Sequence, residues 1–283
     1  MTRYVVAGAR GMLGHDLQQA LAGREVVALG RAELDVTDAV AAARAVAGAD
    51  VVINASAYTA VDDAETHEDD AYAVNATGAG NLARAAADAG ARFVHVSTDY
   101  VFHGDATTPY AEDAPLDPLG AYGRTKAAGE RLVREAHPGA HLVRTAWLYG
   151  RHGGNFAHTM LRLASQRETV SVVTDQVGQP TWSGDLATAI VRLLDAGAPA
   201  GVYHGTNAGQ ASWFDFARAV FEVSGLDPER VLPTDAASFV RPAPRPAYSV
   251  LGHDAWARVG LDAPRGWRSA LDAAAAAGAL DAA

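Results

Sequence analysis

Five short apolar runs mark the first half of the chain, and each is followed by a stretch whose apolar positions recur at helical spacing. The runs are Arg3–Ala7 (RYVVA), Glu25–Leu29 (EVVAL), Asp50–Asn54 (DVVIN), Arg92–Ser97 (RFVHVS) and His141–Thr145 (HLVRT). They are almost continuously apolar rather than alternating, the pattern of parallel strands buried on both faces. Helices are predicted between them over residues 12–22, 38–48, about 68–89 and 121–136, segments rich in good helix formers. Strand–helix alternation of this kind builds βαβ units with right-handed crossovers. The expected fold is therefore α/β, a doubly wound parallel sheet of Rossmann type.

Beyond about Tyr149 the pattern loosens. Helices are predicted over 153–166 and 212–225 and short strands over 169–173 and 201–205, while 232–252 is Pro-rich and irregular. The expected organisation is a main domain over 1–150, rejoined by about 181–205, and a smaller C-terminal lobe made of 151–180 and 206–283. That lobe would close over the C-terminal edge of the sheet. The last residues read as a helix that frays into an Ala-rich tail.

Composition narrows the class. The net charge of −10 argues against a nucleic-acid partner or an anionic membrane surface. Cysteine is absent, which removes disulfides, thiolate catalysis and cysteine metal sites. The ten histidines are scattered without metal-ligand spacing, so no metal is expected. No apolar run approaches the roughly 20 residues that span a bilayer, and the N-terminus runs straight into a strand. A cytoplasmic protein, monomeric or homodimeric, is the expectation. One further count stands out: of 23 Lys and Arg residues, a single one, Lys126, is lysine.

Gly8, Gly11 and Gly14 lie between the first strand and the first helix, with Arg10, Met12 and Leu13 among them. Glycines there allow a tight turn and a close approach of backbone to a pyrophosphate, and the helix N-terminus directs N–H groups at the phosphates. The loop thus points to a dinucleotide and makes 1–150 an NAD(P)-binding domain. After the second strand come Gly30 and Arg31 rather than an acidic residue, which favours NADPH, with NADH possible as a second cofactor. Arg10 can reach the same 2′-phosphate, although Arg31 also reads as a solvated loop residue. In "DVTD" either Thr37 or Asp38 can cap the next helix, and Asp35, with Val36, can lie along an adenine.

Tyr122 and Lys126 are four apart on a predicted helix and share a face. A phenol titrates near 10, and a cation beside it stabilises the phenolate. A compact ammonium suits this better than a planar guanidinium and can also bond two ribose hydroxyls. Lys126 is therefore expected to lower the Tyr122 pKa. The plain alternative is a half-buried Tyr and a surface Lys at helical spacing.

Together the glycine loop, "INASAYTAVDDAE", "VSTDYVFHG", "YGRTKAAGE", "RTAWLYG" and "DQVGQPTWSGDLA" resemble the extended short-chain dehydrogenase/reductases, and within them the dTDP-4-dehydrorhamnose reductase family. The resemblance covers essentially the whole chain. It implies a catalytic triad of Thr98, Tyr122 and Lys126, and reduction by NADPH of the C4 ketone of a dTDP-4-dehydro-deoxysugar, foremost dTDP-4-dehydro-L-rhamnose. It places Ala55, Ala57 and Tyr58 against the dinucleotide. It assigns Thr98, Asp99, Tyr100, Trp147, Asn155 and Arg245 to the sugar nucleotide, with Arg241 competing with Arg245 for its diphosphate. Asp62 and Glu65 read as helix-start charges. Tyr248 departs from the family's usual Asn. Dehydratases of similar fold carry Thr-Asp-Glu where this chain has Thr98-Asp99-Tyr100, which favours simple reduction. Two other outcomes stay open: a sugar-nucleotide epimerase, and a cofactor-binding regulatory protein like the regulatory subunit of methionine adenosyltransferase.

Overall fold

Six parallel strands form the central sheet of the computed structural model, which describes residues 2–281. They are β1 (Arg3–Ala7), β2 (Glu25–Leu29), β3 (Val51–Asn54), β4 (Arg92–Thr98), β5 (His141–Thr145) and β6 (Gly201–His204), in the order β6-β5-β4-β3-β1-β2. The strand at 201–204, which reads from the sequence like its short neighbours in the looser half, pairs with β5 as the edge of this sheet. From β1 the chain winds to one side through β2 and to the other through β3, so strand order reverses at β1. The crevice beyond the C-terminal ends of β1 and β3, where Ala7 lies beside Asn54, is the position at which such sheets bind ligands.

The helices are α1 (Met12–Ala20), α2 (Ala39–Val46), α3 (Glu68–Tyr72), α4 (Ala79–Asp88), α5 (Ala121–Ala136), α6 (Phe156–Gln166), α7 (Ser183–Asp195), α8 (Trp213–Val223), α9 (Asp254–Arg258) and α10 (Trp267–Ala276). On one face of the sheet Leu13 and Leu17 of α1 pack with Ile190 and Leu194 of α7 and with Trp256. On the other, Val46, Leu82 and Val133 of α2, α4 and α5 pack on Val5, Val52 and Phe93. Asp38 is the cap of α2, its carboxylate accepting from Val40 N and Ala41 N at 2.8 and 3.1 Å.

The single helix expected over 68–89 is interrupted. Residues Ala73–Gly78 form a π-helical turn between α3 and α4, a feature that often marks functional sites. Within it the buried Asn75 accepts from Tyr58 N (2.8 Å) and donates to Tyr58 O and Thr125 Oγ1 (each 3.1 Å). Gly129 of α5 lies so near that a Cβ there would stand 2.1 Å from the Asn75 carbonyl oxygen.

A second apolar cluster unites Met160 of α6, Phe216 and Phe221 of α8 and Leu271 of α10 with the paired strands Val170–Val173 and Val231–Thr234. Helix α8 opens on a capping box between Ser212 and Asp215. Of the predicted tail, residues 282 and 283 lie outside the described residues.

Candidate active site

Above the crevice lies a cavity of about 1290 Å³, larger than a drug-sized ligand needs and roomy enough for a dinucleotide and a second molecule. Its floor is the glycine loop. Gly8 has φ +81°, and a Cβ there would sit 2.6 Å from the Ala55 and Ser56 backbone. At Gly14 the clash would be with Gly8 O at 2.3 Å. Only glycine lets these three segments close so tightly. Gly11 is the N-cap of α1 and has no side chain to satisfy the first N–H groups, so they face the cavity as an anion cradle.

Every residue assigned to the dinucleotide from the sequence lines this cavity: Gly8, Arg10, Gly11, Met12, Leu13, Gly14, Arg31, Asp35, Val36, Ala55, Ala57, Tyr58, Tyr122 and Lys126. Arg10 also approaches Glu33 (3.4 Å), whose other oxygen accepts from Gly30 N at 2.8 Å. Asp35 turns back on its own loop, accepting from Thr37 N and Oγ1 at 2.9 and 2.7 Å.

Thr98 ends strand β4, Asp99 follows it, and α5 carries Tyr122 and Lys126; all four line the cavity. Thr98 Oγ1 donates to Asp99 Oδ1 at 2.9 Å and accepts from Tyr100 N at 3.2 Å. The Tyr100 and Tyr122 rings meet edge to face with centroids 5.6 Å apart. Burial pushes the Asp99 carboxyl up to about 6. It also raises the Tyr122 phenol above its ordinary 10, and the Asp99 charge adds to that effect. Ser97 Oγ, buried at the cavity wall, has no protein partner, and the Asp99 carboxylate faces the Ser249 hydroxyl. A polar ligand fits such a surface.

Lys126 is only 1% exposed. Its Nζ donates to Val96 O at 2.7 Å and lies 3.4 Å from His95 Nε2, and burial pushes its pKa down to about 8. The expectation that Lys126 lowers the Tyr122 pKa is thus corrected. The ammonium is directed at β4, and burial with Asp99 governs the phenol.

Two residues expected at the sugar nucleotide do not line the cavity. Asn155 caps α6, accepting from His158 N at 3.0 Å and donating to Gly150 O at 2.9 Å. Arg245 is paired with Asp62 at 2.9 Å, and Arg241 approaches the same carboxylate at 3.5 Å. Asp62 and Glu65 are not simply charges at the start of their own helix. Asp62 holds these two arginines, and Glu65 accepts from Ala121 N at 2.8 Å, capping α5 from 56 residues away. Trp147, at φ +45° and the one positive-φ residue other than glycine among the described residues, stacks on Trp213 with centroids 3.5 Å apart at the cavity wall. The sequence reading missed His95, Asn75 and Trp213. A polar residue inside an apolar strand or an Ala-rich helix is the only signal the first two give.

A glycine loop at the switch point, with a Thr, a Tyr and a Lys lining the same cavity, defines a nucleotide-dependent oxidoreductase of the short-chain dehydrogenase/reductase class. Residues 2–279 match the RmlD substrate binding domain, and the chain belongs to that family. It is 50% identical over 279 residues to the dTDP-4-dehydrorhamnose reductase of Mycolicibacterium smegmatis, covering 97% of this chain and 85% of that one. It is 52% identical over 279 residues to a probable dTDP-4,6-dihydroxy-2-methyloxan-3-one 4-ketoreductase of Streptomyces antibioticus, covering 95% and 93% of the two. Among solved structures, a Bacillus anthracis dTDP-4-dehydrorhamnose reductase in complex with NADP superposes with a TM-score of 0.93 at 38% identity, covering 97% of this chain and 99% of that one.

Proposed function

We propose that the protein reduces the C4 ketone of a dTDP-bound 4-dehydro-6-deoxysugar with NADPH, converting dTDP-4-dehydro-L-rhamnose to dTDP-L-rhamnose. The observation that carries this reading is the convergence of Thr98, Tyr122 and Lys126 on the cavity that the glycine loop also lines. The N–H groups at the start of α1 would hold the pyrophosphate, and Arg10 and Arg31, which line the same cavity, would bind a 2′-phosphate. When bound, the cofactor supplies the hydride.

The remaining chemistry belongs to the chain. Thr98 Oγ1, turning its one hydrogen away from Asp99 Oδ1, would donate to the ketone oxygen and hold it beside the Tyr122 hydroxyl. Because burial and Asp99 hold the phenol above its ordinary value, Tyr122 is protonated at neutral pH, the state needed to deliver a proton to the alkoxide formed at C4. Lys126, anchored on Val96 O, would bond the nicotinamide ribose hydroxyls. Trp147 and Trp213 form an aromatic wall for the sugar. No helix among the described residues is long and apolar enough to cross a membrane.

The test is NADPH oxidation with dTDP-4-dehydrorhamnose, comparing the wild type with Tyr122→Phe. Loss of the general acid is expected to lower turnover by roughly 10²–10⁴-fold. A wild type without turnover, or a Phe variant at the wild-type rate, would sink the catalytic reading.

A further inference from the structure

A buried polar chain runs from the loop after β3 to the one lysine of the sequence. Ser56 N and Oγ both donate to Asn54 Oδ1, at 3.0 and 2.6 Å. A backbone N–H can only donate, so this contact fixes which end of the Asn54 amide is oxygen. The amide nitrogen then faces His95 Nδ1 at 3.1 Å. It too can only donate, so Nδ1 carries the lone pair. His95 is wholly buried, and burial acts to hold its pKa well below the ordinary 6.5. The ring is neutral, and its single proton lies on Nε2.

That N–H is 3.4 Å from Lys126 Nζ. Against an ammonium the contact sets donor on donor. A neutral amine accepts it through the lone pair and still donates to Val96 O.

We propose that the Ser56–Asn54–His95 chain positions Lys126 and favours its neutral amine, making Asn54 and His95 positioning residues of the reaction. The kinetic part of this inference rests on the reading of Lys126 given above. Other groups around the lysine are accounted for. Glu130, one turn along α5, favours the ammonium, but both its oxygens accept from Arg144 of β5 at 2.8 Å. Tyr122, one turn back on α5, is uncharged, and Asp99 at the end of β4 bears on Tyr122 rather than on Lys126.

The single lysine makes the test direct, because uniform lysine labelling of the whole chain gives one side-chain amine resonance to titrate. Imidazole ¹⁵N shifts report the His95 tautomer in the wild-type protein, with no substitution required. The Nε2–H form is expected; the Nδ1–H form would overturn the proposal. In Asn54→Asp, a carboxylate accepts from both Ser56 and His95, moves the imidazole proton to Nδ1 and offers Nε2 to the ammonium. The Lys126 midpoint is expected to rise by a pH unit or more, and by less than half as much in Asn54→Asp with His95→Phe, where only the added charge acts. Equal rises with and without His95 would also overturn it. The pH profile of kcat should move with the midpoint while KM changes less. A shifted lysine beside an unmoved profile would leave the chain intact and count against the kinetic reading of Lys126.

Discussion

Asp99 is a carboxylate held where its charge is unwelcome. Thr98 donates to one oxygen and the Ser249 hydroxyl faces the carboxylate, but burial outweighs both and raises its pKa from 3.8 to about 6. The folded protein therefore binds this proton more tightly than the unfolded chain does. Its contribution to stability is fully present below pH 3.8 and is lost as pH rises through 6. At about 1.4 kcal/mol per pH unit, the loss by pH 7.5 is roughly 2–3 kcal/mol. Asp99→Asn is expected to raise stability at pH 7.5 by about 1–3 kcal/mol in urea denaturation, with the gain fading toward pH 4. An equal gain at both pH values would assign it to packing instead. Removing the charge also lowers the Tyr122 pKa, so the alkaline limb of the kcat profile should move to lower pH. At Lys126 the site is closed around a compact amine held on Val96 O, a contact that a planar, forked guanidinium cannot reproduce. Lys126→Arg is expected to cost most of the activity, at least roughly tenfold in kcat, because a guanidinium stays charged and offers no lone pair to His95.

Helix α5 carries two of the three proposed catalytic residues and is fixed at three points. Glu65 caps its first turn, Gly129 lets it meet the π turn at Asn75, and Glu130 forms a bidentate pair with Arg144 while both side chains are 1% exposed. Arg144 also donates to Glu112 O at 3.0 Å and lies 5.0 Å from the Phe102 ring centroid. Truncating one partner strands a buried charge, so Arg144→Met is expected to cost about 3–5 kcal/mol, with much of it recovered when Glu130→Leu is added. Denaturant melts of the two single variants and the double variant measure this; a double variant no better than either single one would contradict it. The extent of α5, residues 121–136, is legible in its helical periodicity. Its supports are not. Glu65 looks in sequence like a charge serving the helix beside it, because a carboxylate caps a distant helix with the same chemistry. Nor does the π turn alter the apolar spacing of 68–89 enough to announce itself.

At the scale of the molecule, the lining of the cavity around the glycine loop was readable because its signals are local: a glycine loop abutting a strand, a Tyr and Lys one turn apart. The sugar side was not, because it is assembled from segments far apart in sequence. Asn155 and Arg245 were expected there from resemblance alone, and the fold gives each a partner of its own. The strap around 239–246 shows what that partner does. Asp62 accepts from Arg245, from Arg241 and from Ala243 N at 3.3 Å, while Pro246 and Pro244 close on Gly104 and Gly120. Phe239 and Val240 beside it are 49% and 91% exposed, so the strap is held by its polar tether more than by burial. Asp62→Ala removes three partly exposed bonds, about 1–2 kcal/mol in all, or roughly five- to thirty-fold in how often the strap stands open. Chymotryptic cleavage after Phe239 should accelerate by that factor. The KM for the sugar nucleotide should rise, because Arg245 lies 6.0 Å from the Tyr100 ring centroid at the cavity wall. The KM for NADPH should stay put, since the glycine loop is untouched. Equal rises in both constants would mean that Asp62 supports the whole domain rather than the strap.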